Sequence, residues 1–210
     1  MVRGGIRRLR KPIQGGYRRK CWRWEQEWGA EVERFRPHAV VITTGVWDLA
    51  DTRLTADGEY LSTGDPAFDD WMVEEYVRAA RTLSADGAQV FWATYPCLGP
   101  QAKPGRDDGA RRFDGSGAFS NDRIRHLNEK ILLRVRERLG GRMSIVPLYD
   151  QMCPGGEYTS KIGGVKNARP DGLHLNVPEA RWAAEWMFDS LQEAAPPKWR
   201  RPSEPVGSSS

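Results

Sequence analysis

Ala39-Val40-Val41-Ile42-Thr43-Thr44, running on into Gly45-Val46-Trp47-Asp48, is the stretch that decides the fold. Five of its first six residues are branched at Cβ, and such side chains pack well on a pleated surface. No polar residue alternates with the apolar ones, so the run reads as a short strand buried on both faces, as in parallel sheets. Just before it, Trp24, Trp28, Val32 and Phe35 recur at helical spacing, with Glu25, Glu27, Glu31 and Glu33 mostly off that face. Pro37 ends the helix, because proline disfavours helical geometry in the residue before it.

The same alternation repeats towards the C-terminus. Residues 45–68 read as a loop rich in Gly, Asp and Thr, and Asp69 or Asp70 can cap a second helix with Met72, Tyr76, Ala79, Ala80 and Leu83 inward. Asp86-Gly87 stops it, and Ala88 to Thr94 is a second strand. Pro96 to Gly117 has no periodicity, and so long a loop in a compact domain is usually functional or mobile. Ser120 or Asn121 caps a third helix with Ile124, Leu127, Ile131 and Val135 inward, Gly140-Gly141 terminates it, and Met143 to Pro147 is a third strand. After a loop from Tyr149 to Asn176, Pro178 opens a fourth helix that buries Trp182, Ala183, Trp186, Met187 and Leu191.

The order α-β-α-β-α-β-α predicts an α/β fold, a parallel sheet with helices on both faces. Three strands fall short of the roughly five or six of a doubly wound sheet. The first helix also has no strand before it. The expectation is an α/β domain whose first βαβ unit is absent.

At 210 residues the chain suits one domain. With 39% hydrophobic and 29% charged residues it reads as globular, which excludes wholesale disorder and collagen-like fibres. No apolar run approaches the ~20 residues of a membrane span, and no secretory signal is visible. Residues 1–20 carry eight bases and no acid; without them 24 bases face 28 acids, so the net charge of +4 belongs to a basic leader. Such a leader can hold nucleic acid or an acidic surface, but only Tyr17 is interleaved with it, a poor stacking platform. Residues 21–195 form the domain, and 196–210 read as a disordered tail rich in Pro, Ser and Gly. Cys21, Cys97 and Cys153 contain no CxxC; an odd count leaves one thiol unpaired or a partner outside the chain.

Chemistry is expected outside the carboxyl ends of the strands. There, Arg169-Pro170-Asp171-Gly172-Leu173-His174 sets an Asp three residues before a His, just ahead of the last helix. A carboxylate so placed can hold an imidazole in one tautomer and stabilise its cation while the other ring nitrogen serves a nucleophile. Arg169 either completes the loop or depresses the pKa of Asp171. His38 and His126 read as structural.

With these residues in view, the chain resembles the SGNH (GDSL-type) hydrolases from roughly residue 3 to residue 193. Asp171-Gly172-Leu173-His174 resembles their block V, and Gly45-Val46-Trp47-Asp48 their block III, usually Gly-x-Asn-Asp. The wording from Arg36 to Leu49, and Cys21 ahead of Trp22, Trp24 and Trp28, is similar to one bacterial subgroup. In that subgroup the SGNH domain is fused to membrane acyltransferase-3 proteins, and Gly-x-Trp-Glu/Asp replaces Gly-x-Asn-Asp. The resemblance implies a three-layer α/β/α flavodoxin-like fold and O-acyl ester hydrolysis or acyl transfer. It makes His174 the general base, Asp171 its orienter, and Gly45, Trp47 and Asp48 the oxyanion and substrate-binding positions. Asp48, Asp51 and Asp65 with His174 could bind a metal, but no EF-hand or HExxH pattern supports one, and no cofactor is expected.

Two departures stand out. Trp47 occupies the position of the oxyanion Asn, and no Gly-Asp-Ser occurs anywhere in the chain. Ser62, Ser84, Ser116, Ser120, Ser144, Ser160 and Ser190 all lie downstream of block III, and Ser203 and Ser208 to Ser210 lie in the tail. The missing nucleophile and the missing strands are one absence, expected from a start codon assigned too late or a truncated gene. The expected substrate is an acyl ester, such as one on a cell-envelope carbohydrate, with a membrane acyltransferase domain as partner in a longer protein and nucleic acid not favoured. A non-catalytic carbohydrate-binding module, its Trp47, Trp71 and Trp92 lining a sugar site, is the alternative. As written the chain would stay in the cytoplasm, whereas the related domains usually work outside it.

Overall fold

In the computed structural model the described residues are 6–7, 23–43, 45–55, 57–99 and 119–194. Most of the basic leader, Cys21 and Trp22, nearly all of the loop from Pro96 to Gly117, and the tail from 196 lie outside them. β1 (Ile6–Arg7) pairs antiparallel with β3 (Thr52–Arg53), a small second sheet that the sequence pattern did not announce. α1 (Trp24–Phe35) stops just before Pro37; Arg36 closes it in the left-handed region (φ 42°), donating its N–H to the Val32 carbonyl.

The main sheet has three parallel strands in the order β2 (Ala39–Thr43), β4 (Gln89–Ala93) and β5 (Met143–Val146). Val41 stands opposite Phe91, and Phe91 opposite Ser144. β4 is the central strand and is buried along its whole length, as a parallel strand covered on both faces must be. α2 (Pro66–Leu83) starts three to four residues before the expected caps, because Pro66 fits the first helical turn and Asp65 precedes it in extended geometry. The third helix is interrupted: α3 (Asn121–His126) passes through a π turn (Leu127–Ile131) into α4 (Leu132–Leu139). Ser120 caps it, accepting the Arg123 N–H at 3.2 Å, and Ile124, Leu127, Ile131 and Val135 are all buried as their spacing requires.

Helices therefore lie on both faces. One core gathers Trp24, α2, α3, α4 and the Val90 and Trp92 face of β4, where the Tyr76 and Trp92 rings sit 4.4 Å apart. The other gathers Phe91, Ala93 and Val146 with α5 (Leu148–Met152), while α6 (Val177–Ala194) packs against β5. No helix among the described residues is long and apolar enough to cross a membrane.

Two burial expectations are corrected. β2 is not buried on both faces: Ala39, Val41 and Thr43 are exposed, because among the described residues β2 is an edge strand with β4 as its one neighbour in the sheet. Phe35, read as inward, is 65% exposed beside that same edge. Along α6 only Ala183 of the expected residues is buried; Trp182, Trp186, Met187 and Leu191 are half-buried, since α6 meets β5 at one side of the sheet.

Candidate functional site

The loop before α6 is folded around one carboxylate. Gly172 takes a positive φ (76°) and donates its N–H to the Arg169 carbonyl at 2.9 Å, turning the chain back on itself. The turn aims the N–H groups of Leu173 (2.9 Å) and His174 (2.7 Å) at Asp171 Oδ1, while Asp171 Oδ2 meets His174 Nδ1 at 2.5 Å. One side chain thus fixes both the backbone and the ring of His174. Leu173 and Leu175, on either side of the histidine, pack against the two different cores. The His174 side chain is 76% exposed, so the ring stands in solvent with Nδ1 engaged.

A buried cation ties this loop to the sheet. Arg169 is 1% exposed and donates to the carbonyls of Cys97 (2.5 Å), Met152 (3.1 Å) and Thr159 (3.2 Å). Its guanidinium lies 4.4 Å from the Tyr158 ring centre, and Tyr158 donates its hydroxyl to the Arg169 carbonyl. Burial holds the guanidinium below its ordinary pKa, against the favourable field of Tyr158 and Tyr95. Next to it Cys97 and Cys153 form a disulfide, which settles two of the three cysteines; Cys21 is outside the described residues. A further bond joins Gly99 N–H to the Gly172 carbonyl at 3.1 Å. Position 99 has to be glycine here, since a Cβ would stand 2.2 Å from the Tyr158 ring.

Asp171 titrates below the ordinary aspartate range. Partial burial opposes its ionisation and is outweighed by the His174 ring, the N–H groups of His174 and Leu173, and the histidine's charge. Arg169 is not among the sources of this shift. An aspartate whose folded pKa lies under its unfolded value stabilises the fold above that value and loses the contribution as pH falls through the folded one. Urea unfolding between pH 6 and 2 is therefore expected to show a stability loss beginning near 3.8, the ordinary value, and flattened in Asp171→Asn. The loss is small, as the carboxylate is half exposed.

The turn after β2 is built separately. Gly45 is extended and exposed, and its carbonyl accepts the Asp48 N–H at 3.0 Å to start the 3-10 turn Val46–Leu49. Trp47 is 38% exposed and rests edge-on against Phe119 at 6.2 Å. Asp48 turns inward to 3% exposure and accepts the Tyr76 hydroxyl at 3.1 Å. The structure thus brings Asp171 to His174, and gives Trp47 to the surface and Asp48 to the core.

Other side chains bind the strand ends together without an obvious sequence signal. Arg123 donates to the Leu49 carbonyl (2.9 Å), to Asp51 (2.6 Å) and to Ser62 Oγ (3.1 Å), and the Ser62 hydroxyl itself donates to Asp51. Asp69 meets His126 Nε2 at 2.5 Å and accepts the Gly64 N–H, so His126 joins α3 to α2. Asn128 accepts the Tyr95 N–H and donates to the Tyr95 carbonyl; Asn121 does the same with Leu98. The one cue was the spacing of these two asparagines on one helix. Ser62, Ser120 and Ser144 are all engaged away from His174. Among the described residues no group of three or more His, Cys, Asp or Glu is placed to hold a metal ion.

No family model matches the sequence, and no curated protein matches it either.

Proposed function

We propose that the chain is the base-carrying part of an SGNH-type O-acyl esterase or acyltransferase, with a flavodoxin-like sheet that lacks its first βαβ unit. The observation that carries this reading is the Asp171–His174 contact of 2.5 Å, held by a turn beyond the carboxyl ends of the strands. His174, oriented through Nδ1, takes the proton of a serine hydroxyl on Nε2 as that oxygen bonds to the acyl carbon. Asp171 stabilises the imidazolium. The proton then passes to the departing alkoxide as the ester C–O bond breaks, and water or an acceptor alcohol removes the acyl group by the same steps reversed.

The nucleophilic serine comes from outside these 210 residues. Gly45 and the Trp47 indole N–H take the oxyanion side in this reading, and the exposed tryptophan suits a carbohydrate acyl ester as substrate. A membrane acyltransferase domain is the partner, and nucleic acid is not favoured.

Hydrolysis of p-nitrophenyl acetate tests the assignment. The 210-residue chain is expected to show only background turnover. The polypeptide made from the native locus is expected to exceed 23.8 kDa, to hydrolyse the ester, and to lose about 10²–10⁴-fold in His174→Ala. Turnover by the 210-residue chain that vanishes in His174→Ala would place a nucleophile within it. Turnover indifferent to His174 would end the reading.

A further inference from the structure

The segment around β3 turns one polar face away from the core. Thr52 and Leu61 exchange two main-chain hydrogen bonds (2.9 and 3.0 Å), which sets Asp51 opposite Ser62 and Arg53 opposite Tyr60 in antiparallel register. Side chains alternate along a strand. Thr52, 3% exposed, and Leu61 therefore turn to the core, while the other four share the outer face. Two contacts agree with that register: the Ser62 hydroxyl donates to Asp51 at 2.9 Å, and the Arg53 guanidinium lies 5.0 Å from the Tyr60 ring centre.

Two guanidiniums meet this face, and only one of them is engaged. Arg123 donates to Asp51, to Ser62 Oγ and to the Leu49 carbonyl, and so neutralises Asp51. Arg53 has its stem seated in the fold, yet its buried Nε–H meets no acceptor. Among the described residues no carboxylate pairs with its guanidinium, Asp57 and Glu59 of the adjoining turn included. Burying such a donor unmade costs stability and gives the fold nothing in return. What the arrangement does provide is a half-buried guanidinium, steadied by the Tyr60 ring, whose terminal N–H groups form a fixed fork. A fork of this kind matches two oxygens side by side, and its fixed orientation lowers the ordering cost of binding. One unpaired positive charge beside a neutralised Asp51 balances a single negative charge, which suits a carboxylate better than a phosphate dianion.

We propose that this face is a subsite for a carboxylate carried by the carbohydrate substrate, an acidic sugar of the uronate class, with Arg53 as its receptor and Tyr60 as the support that orients it. Arg123 also grips Leu49 in the 3-10 turn that exposes Trp47. One short segment thus carries both the aromatic surface and the carboxylate receptor, six residues apart and at most about 20 Å of extended chain. An oligosaccharide resting on Trp47 reaches Arg53 with a neighbouring sugar. The carboxylate subsite stands on β3 by itself; only its service to an ester substrate rests on the reading of Trp47 and His174 given above.

Galacturonate, neutral galactose, inorganic phosphate and tetragalacturonate are the probes, titrated into the intact 210-residue chain while the Arg53 Nε–H resonance is followed by nuclear magnetic resonance. Galacturonate is expected to shift that resonance saturably and less so as salt rises, galactose not at all, and phosphate only at about tenfold higher concentration. Calorimetry with tetragalacturonate is expected to show affinity falling about tenfold in Arg53→Gln, and about threefold in Arg53→Lys, which keeps the charge and loses the fork. Tyr60→Ala and Trp47→Ala are each expected to cost about threefold, Tyr60→Phe nothing, with circular dichroism unchanged throughout. An Arg53 resonance that ignores galacturonate, or answers galactose equally, would overturn the proposal even if every variant misfolded. Tighter response to phosphate would overturn the carboxylate in favour of a phosphate group. Tetragalacturonate binding indifferent to Trp47→Ala would remove the subsite from the substrate's path. Hydrolysis of p-nitrophenyl acetate, which carries no carboxylate, reports on the esterase reading separately, so the two failures are told apart.

Discussion

Arg169→Ala is expected to cost the fold about 3–5 kcal/mol, a large share of a typical domain's stability. The guanidinium is the common donor to three carbonyls from three segments: the β4 exit (Cys97), the end of α5 (Met152) and the following loop (Thr159). Truncation leaves those acceptors facing a hole, at about 1–3 kcal/mol for each that water does not reach. Two conservative variants separate the causes. Arg169→Met fills the space but donates nothing, so its deficit measures the lost hydrogen bonds. Arg169→Lys keeps the charge, but a single ammonium cannot span three acceptors, so it should fall between wild type and alanine. Urea unfolding followed by tryptophan fluorescence reads the stability. Amide exchange at Gly172 and His174 reads whether the loop loosens first. A loss below about 1 kcal/mol for Arg169→Ala would show that water replaces the guanidinium and that the loop is held by other means.

Opening the Cys97–Cys153 bridge should have an effect of similar size. It closes a loop of sequence separation 56, for which chain entropy alone gives about 4 kcal/mol. The expected result is a urea midpoint that drops on adding a phosphine reductant, and a Cys97→Ala/Cys153→Ala variant that matches the reduced protein. The bridge and Arg169 fasten the same residue, Cys97, to neighbouring parts of the 152–159 stretch. Once one fastening is gone the other acts on a loop already displaced. The double loss should therefore fall short of the sum of the single losses by more than the ~0.5 kcal/mol expected of independent sites. Additivity would mean that the two hold separate structures.

What the sequence disclosed was local. Four β-branched residues made Ala39–Thr43 a strand, and the spacing of Ile124, Leu127, Ile131 and Val135 made one helix face, whatever surrounded them. The Asp171–His174 contact was legible because a three-residue separation brings the groups together through one turn. Burial of β2 was misjudged because an apolar run does not say whether a neighbour is present to cover it. The start of α2 was misplaced because two aspartates are good caps in isolation, whereas Pro66 was the stronger signal for a first turn. The partners of Arg169 lie 72, 17 and 10 residues away, and the cysteine pairing spans 56; neither spacing carries information until the strands are set side by side.

Asn121 and Asn128 grip the chain at Leu98 and Tyr95, seven residues apart on a helix against three apart on an extended segment. Seven helical steps advance about 10.5 Å and three extended steps about 10 Å, so the two scales coincide like a vernier. One residue more or less between Tyr95 and Leu98 would displace one mark by about 3.3 Å and release one asparagine. The extended segment is thereby indexed against the helix. The position of Gly99, and through it of the turn that carries His174, is set by counting along two different rulers.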